Sequence, residues 1–377
     1  MRDLNIKKSL VLVLFIILSS CKKDNQMLEK IEKFEWLASA GASETSPMEI
    51  VRGSFIASDG SSQWIPNGEY LKAGWGNGNG VWAVGDEMRK VPERMELTWF
   101  SYTENKFFTG DFELPQQKIY SLFKKNYGKG IQPDGTEFEL KFSELTIGLA
   151  PKGLVTLWMS GFAQIEIATY QAHEINIEWK KFYKGEAKQE IVVKSYQKDM
   201  LPFVQDEIAQ NNISNVYWKN LLEKYHYSVK FNKENEYKLY DYEIWFINHE
   251  AINKKSNDLT YIAKSEIEKA IPKNMVLYLK DNFERKLEVR VDVSVPIEKK
   301  PREDLSPLEE RNKNQNLIKI FKSFFERNKN IELYIKFNKE IIKSNIHKPV
   351  YSGKVFLKSA SSEVEIPNSK VEVYNAE

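Results

Sequence analysis

The chain has 377 residues, 55 Lys+Arg against 53 Asp+Glu, a single cysteine and 13% aromatic side chains. At 42% hydrophobic and 29% charged, its composition is that of a globular protein and excludes a disordered one. Without residues 1–20, basic and acidic side chains balance, which argues against a nucleic-acid binder with its surplus of Lys and Arg.

Residues 1–9 carry Arg2, Lys7 and Lys8, and the unbroken apolar run LVLVLFIIL follows at 10–18. A basic start, a short apolar core and small residues at the cut describe a secretory signal over 1–20. The run is too short to cross a bilayer, which takes about 20 residues of helix. Leu18-Ser19-Ser20-Cys21 resembles the lipobox of bacterial lipoproteins, in which Cys21 would become the acylated mature N-terminus. Each buried acyl CH₂ contributes about 0.8 kcal/mol, so several chains make a durable membrane anchor. An exported chain with no second cysteine has no disulfide option, and its stability must come from burial. Residues 21–30 read as a lipidated tether. Lys22 stands where an Asp would favour retention at the inner membrane, so the expected location is the outer membrane, on its periplasmic face.

Further along, Gly74-Trp75-Gly76-Asn77-Gly78-Asn79-Gly80 has the glycines of a phosphate cradle but not its setting of buried strand before and helix after. Trp75 interrupts it and a strand is expected at 81–84, so it reads as a hairpin or surface loop. Residues 95–102 alternate and end in aromatics, a strand pattern, and 107–114 follow as a second strand closed by Pro115. Ile119, Leu122 and Phe123 share one face of a helix over 118–125. Strands are expected at 138–147 and 154–159 around the Pro/Gly turn 149–153, then at 165–167 and 174–179. A helix is expected over 201–223.

Much of this order recurs. Pro92–Leu97 aligns with Pro272–Leu277 at an offset of 180, and Lys118–Phe123 with Lys319–Phe324 at 201. Gly153–Leu157 aligns with Gly353–Leu357 at 200, and Lys33-Phe34-Glu35-Trp36 with Lys224-Tyr225-His226-Tyr227. The jump in offset falls on the charged stretch 297–316, which reads as an insertion. The expected fold is therefore α+β with a mainly antiparallel sheet: a strand-strand-helix-strand-strand unit duplicated in tandem, its two sheets packed together. The repeats would occupy 31–190 and 191–377, with the helix of the second at 317–327 and its later strands at 331–337, 354–358 and 371–374.

Lys33–Trp36, the Trp-containing Gly-rich segment, Pro92 leading into Leu97-Thr98-Trp99-Phe100-Ser101-Tyr102, and Phe112-Glu113-Leu114-Pro115 together resemble a bacterial lipoprotein family. Ile147-Gly148-Leu149-Ala150-Pro151-Lys152-Gly153-Leu154 through Trp158 resembles its second block. The family is catalogued as domain of unknown function 2931, and the resemblance covers residues 33–180. It implies an exported, lipid-anchored protein without assigned enzymatic residues. It further implies a role as an immunity protein against a phospholipase-type toxin of type VI secretion.

The residues themselves offer little catalytic chemistry. His173-Glu174 and His249-Glu250 begin like a zinc-protease helix, but Ile177 and Asn253 stand where the second histidine belongs. His226 and His347 have no such companion, and no Gly-x-Ser-x-Gly elbow occurs. Glu104, Glu113, Glu166 and Glu174 are acids of the right type for glycoside hydrolysis, yet no spacing singles out a pair. No metal, cofactor or catalytic residue is assigned. Seven of nine tryptophans lie in the first repeat, and Trp64, Trp75 and Trp82 sit in or beside Gly/Ser/Asn-rich loops. Exposed tryptophans anchor protein interfaces or stack on sugars. These three are the expected partner-binding residues of a non-enzymatic outer-membrane lipoprotein. The alternative is a carbohydrate-binding lipoprotein of the cell envelope.

Overall fold

The computed structural model describes residues 32–83, 85–293, 306–339 and 349–376. Cys21, the signal segment, the tether, His347 and positions 297–305 of the expected insertion lie outside them.

In the first half the long strands are β1 (Leu37–Ala42), β2 (Met48–Ile56), β3 (Arg94–Ser101), β4 (Lys106–Glu113), β5 (Phe142–Ala150), β6 (Leu154–Gly161) and β7 (Gln164–Gln171). Helix α1 (Gln116–Lys124) connects β4 to β5. Helices α2 (Gln189–Lys198), α3 (Pro202–Ala209) and α4 (Val216–Leu221) lead to the second half. There the strands are β8 (Lys224–Phe231), β9 (Tyr237–Phe246), β10 (Pro272–Asp281), β11 (Lys286–Asp292), β12 (Ile331–Lys339), β13 (Tyr351–Lys358) and β14 (Lys370–Ala376). Helix α5 (Pro307–Phe325) connects β11 to β12.

β2, β3 and β4 form an antiparallel sheet edged by the short strands Ser62–Trp64 and His173–Ile175. β1, β5, β6 and β7 form the facing layer, with β1 parallel to β5 and the remaining pairs antiparallel. Period-two alternation sends Phe55, Met95, Leu97 and Trp99 of one sheet and Leu145, Ile147, Val155 and Leu157 of the other into one core. Each such burial contributes about 1.5–3 kcal/mol. The second half runs β8-β12-β13-β14-β11-β10-β9, again with its first strand parallel to the strand after the helix. The short strand Ala251–Asn253 joins β9 to β7, so one long, mainly antiparallel sheet threads both halves. The fold is α+β and dominated by sheet.

The connection order is the same in both halves, and the sequence offsets are strand registers. Met95 and Met275, both buried, pair with Phe112 and Val291 on one side and Phe55 and Ile244 on the other. Val155 and Leu157 face Leu149 and Ile147, as Val355 and Leu357 face Ile335 and Leu333. β2 carries a bulge between Ile50 and Arg52, and β9 carries one at the matching place, between Leu239 and Asp241. Phe34 packs on Tyr120 and Phe123 of α1, and Tyr225 packs on Phe321 and Phe325 of α5. One seam differs: β11 pairs with β14 along its length, while the equivalent β4 and β7 touch through the Phe112–Tyr170 stack, ring centroids 4.8 Å apart.

Val193, Met200 and Val204 of the intervening helices, beyond 190, bury against Phe100, Tyr102 and Phe107 of the first half. Two expectations are corrected. The single helix over 201–223 is two, broken near Asn211, whose φ of 52° is left-handed. The described end of the charged stretch 297–316 is helical: α5 starts at Pro307, ten residues before Leu317, the position that matches the start of α1 at Gln116. Ser306 caps it, accepting from the Glu309 amide while the Glu309 carboxylate accepts from the Ser306 amide. Of the strand expected at 81–84, the described residues 81–83 form a bridge between Val81 and Ser39 and no strand.

Candidate functional site

The outer face of the β2–β3–β4 sheet carries the site. Strand pairing sets two rungs of outward side chains: Trp64, Ser54, Glu96 and Asp111 in one, and Arg52, Thr98, Thr109 and His173 in the next. They line a groove of about 330 Å³ whose floor includes Gly53 and Gly110. Trp64 is 58% exposed. On its other side lies a second groove of about 280 Å³, bordered by Met88, Arg89 and Lys90. The indole is thus a ridge between two concavities.

Charge around it is fixed in place. Arg94 donates from Nε and Nη2 to Asp111 at 3.0 and 2.9 Å, and from Nη2 to Glu96 at 2.5 Å. The Thr98 and Thr109 hydroxyls are 2.8 Å apart. In the second groove Lys90 donates to Asp59 at 2.5 Å, and that bond holds the Asp59 carboxyl well below the usual range. Arg52 is exposed and forms no ion pair among the described residues. An aromatic anchor, an uncommitted cation and two oriented carboxylates on a rigid sheet suit recognition of a protein or a sugar.

Of the three expected tryptophans, only Trp64 is exposed. Trp75 is corrected: it is 3% exposed and packs edge-to-face on Trp158, centroids 4.8 Å apart, with His249 against its other side. Its loop lies flat on β1 and β5, because Gly41, Gly76, Gly78 and Gly148 leave room. A Cβ on Gly41 would sit 1.8 Å from the Asn77 carbonyl oxygen. Trp82 is half-buried. Nothing brings these three side chains into one patch: the loop stays at the surface through Asn77, Gly78 and Gly80, while Trp75 and Gly76 turn inward and pack closely.

Several of the acids singled out by type hold structure. Glu104 is buried, accepts from the Lys152 amide at 3.1 Å and from Ser101 at 3.0 Å, and burial raises its pKa. Glu174 pairs with Lys106 at 2.6 Å. Burial pushes the His249 pKa down to about 4, with Lys273 adding to the effect, so the imidazole is neutral. His226 sits 3.4 Å from Glu268 on the surface.

Sequence reasoning missed the seam between the halves. Lys224 of β8 reaches Glu166 of β7 at 3.1 Å and Glu250 at 3.2 Å. Burial pulls the Lys224 pKa down, but the two carboxylates outweigh it and the net shift is upward. Asn248 donates to Glu250 at 3.0 Å and accepts at its carbonyl from Trp158 Nε1 at 3.2 Å. Gln164 donates to the carbonyls of Gly76 and His249 at 3.0 and 2.7 Å. These residues come from distant positions, and none has a spacing that announces the cluster.

Among the described residues no helix is long and apolar enough to cross a membrane, and no group of three His, Cys, Asp or Glu side chains could hold a metal ion. No curated protein and no solved structure matches the chain. A family profile does match, over residues 21–214, which is just over half of the sequence and ends just before α4, where the core of the second half begins. The chain therefore belongs to the family described as protein of unknown function, DUF2931.

Proposed function

We propose that the chain is a lipid-anchored protein of the outer membrane, facing the periplasm, that binds another protein without catalysing a reaction. The partner we infer is a secreted phospholipase-type toxin, which would make the chain an immunity protein. The single observation that carries the binding site is Trp64, exposed on the ridge between two grooves with Arg52 beside it. A large rigid aromatic next to an unpaired guanidinium is the composition of an interface anchor. Blocking a toxin requires covering its cleft, so a fixed sheet face serves better than a mobile loop. The test is capture: the tagged full chain should retain a phospholipase-type toxin, and Trp64→Ala should release it. Equal capture by both proteins would remove this face from the interaction. Anchoring is tested separately, since labelled palmitate should enter the wild-type chain and not Cys21→Ser.

A second reading rests on the same groove. Trp64 shares it with Arg52, Glu96, Asp111 and His173, and an indole flanked by hydrogen-bonding side chains also suits a sugar ring. Glycan-array binding lost on Trp64→Ala, with toxin capture absent, would favour this alternative.

A further inference from the structure

The second half contains an apolar cleft of about 360 Å³ lined by Val229, Phe231, Tyr237, Leu239, Ile262 and Leu277. It lies where two strand edges face each other. β8 pairs with β12 on one side, but on the other only Lys224–His226 find a partner, in Glu268–Ala270. β9 pairs with β10 on one side, and on the other only Glu243–Trp245 are paired, with Ala251–Asn253. Lys254 then caps the edge, donating from Nζ to the Tyr240 carbonyl at 2.8 Å and from its amide to the Tyr242 carbonyl at 3.3 Å. The Tyr237 amide is taken by the Lys233 carbonyl at 2.9 Å, but beyond it Tyr237–Leu239 borders the cleft without a strand on that side among the described residues. Open edges of this kind are templates for added strands.

The first half shows what such a place accepts. By the matched bulges, Met48 and Ile50 correspond to Tyr237 and Leu239. There the chain supplies its own short strand: Tyr70 and Leu71 pair antiparallel with Glu49 and Met48, and Leu71 is buried in the core. The Gly74 amide then donates to the Ala42 carbonyl at 3.0 Å, closing the gap toward β1. In the second half the corresponding connection instead forms the helical turn Thr260–Ala263 at one end of the cleft. At the mouth Lys230 pairs with Glu234 at 3.7 Å, while Lys238 is exposed with no ion pair among the described residues and is the uncommitted charge.

We propose that this cleft takes a short extended peptide segment of a protein partner, added along Tyr237–Leu239 as Tyr70–Leu71 is added along Met48–Glu49. One apolar side chain of the segment enters among Val229, Phe231, Leu239 and Leu277, and an acidic residue beside it faces Lys238. Backbone pairing supplies part of the affinity and the pocket selects the side chain. The inference rests on the protein-binding reading above and adds a second contact, on the half that the family match does not reach.

The probe is a fluorescein-labelled extended peptide with Leu between two Asp residues, titrated into the full chain. Saturable binding is expected, with amide exchange slowed at 237–239. N-methylation of the peptide backbone beside the Leu should weaken binding about tenfold, the loss of one or two hydrogen bonds. Lys238→Glu, at an exposed position that leaves folding intact, should weaken it about threefold or more. Absence of peptide binding, or binding indifferent to N-methylation and to Lys238→Glu, overturns the proposal. So does saturation of the cleft by dodecanoate with no peptide bound, which would mark a lipid pocket. If toxin capture still depends on Trp64 while the peptide fails, the protein-binding reading stands and strand addition alone falls.

Discussion

The hairpins β5–β6 and β12–β13 occupy the same place in the two halves, and they differ on one face only. Their inner faces are interchangeable: Val155 and Leu157 match Val355 and Leu357 in register and in burial. Their outer faces are not. In β5–β6 that face holds Gly148, Thr156 and Trp158, on which the 74–80 loop and the second half pack. In β12–β13 it holds Tyr334 and Phe356 under the ammonium groups of Lys358 and Lys336, 4.4 and 5.3 Å from the ring centroids. The same strand pair can thus be solvated or turned into an internal seam by changing every second residue. The inner positions are dictated by the fold and the outer ones by what lies against them.

Substitutions at equivalent sites should divide along that line. Gly148→Ala would place a Cβ 2.4 Å from the Trp158 ring and 3.0 Å from Trp75, and overpacking of this kind should cost about 1–3 kcal/mol. Tyr334→Ala, its counterpart on the solvated hairpin, should cost less than about 1 kcal/mol. Urea unfolding of the two variants measures the difference, and equal losses would contradict the assignment of faces. A second pair sharpens the contrast. Lys224→Met leaves Glu166 and Glu250 side by side at the seam, a loss of about 3 kcal/mol. Lys33→Met, at the aligned position of the first half, breaks only an exposed 3.7 Å contact with Asp86 and should stay within about 0.5 kcal/mol. Thermal melts of both proteins check this.

His249 gives the seam a pH signature. Its folded pKa of about 4 lies below the ordinary 6.5, so between those values the unfolded chain binds the extra proton. Its contribution to stability is complete above pH 6.5 and is lost as the pH falls toward 4. His249→Gln should flatten the stability profile in that window, and a slope identical to wild type would refute a neutral, half-buried imidazole. The smallest effect on stability is expected at Trp64: Trp64→Ala should change it by no more than about 0.5 kcal/mol, because the side chain is exposed.

The legible part of this architecture is what periodicity and register write locally. β3, β4, α1 and β6 fall within a few residues of their expected positions, because Met95–Ser101 alternates and Pro115 breaks the strand before α1. The offsets near 180 and 200 expose the repeated order even where side chains differ. β2 shows no plain alternation in its sequence although Met48, Ile50 and Phe55 point inward, since the bulge after Ile50 shifts the pattern by one residue midway. The first turns of α5 were hidden by charge, with Ser306 and Glu309 as the overlooked capping signal. At the site, Trp64 was legible from its polar neighbours. Trp75 was misread because glycine marks close packing as readily as exposure, and only the strand against which the loop lies distinguishes the two. The Glu166–Lys224–Glu250 seam joins residues far apart in the chain and has no local signature.

The proposed function places neutralisation of a periplasmic toxin on the outer face of the first half, through Trp64. Survival of cells that produce a phospholipase-type toxin in the periplasm tests it, with the full chain co-expressed as wild type or as Trp64→Ala, each at equal membrane levels. Wild type is predicted to restore growth and Trp64→Ala to fail. Growth restored equally by both, or killing unchanged by wild type, would contradict the account.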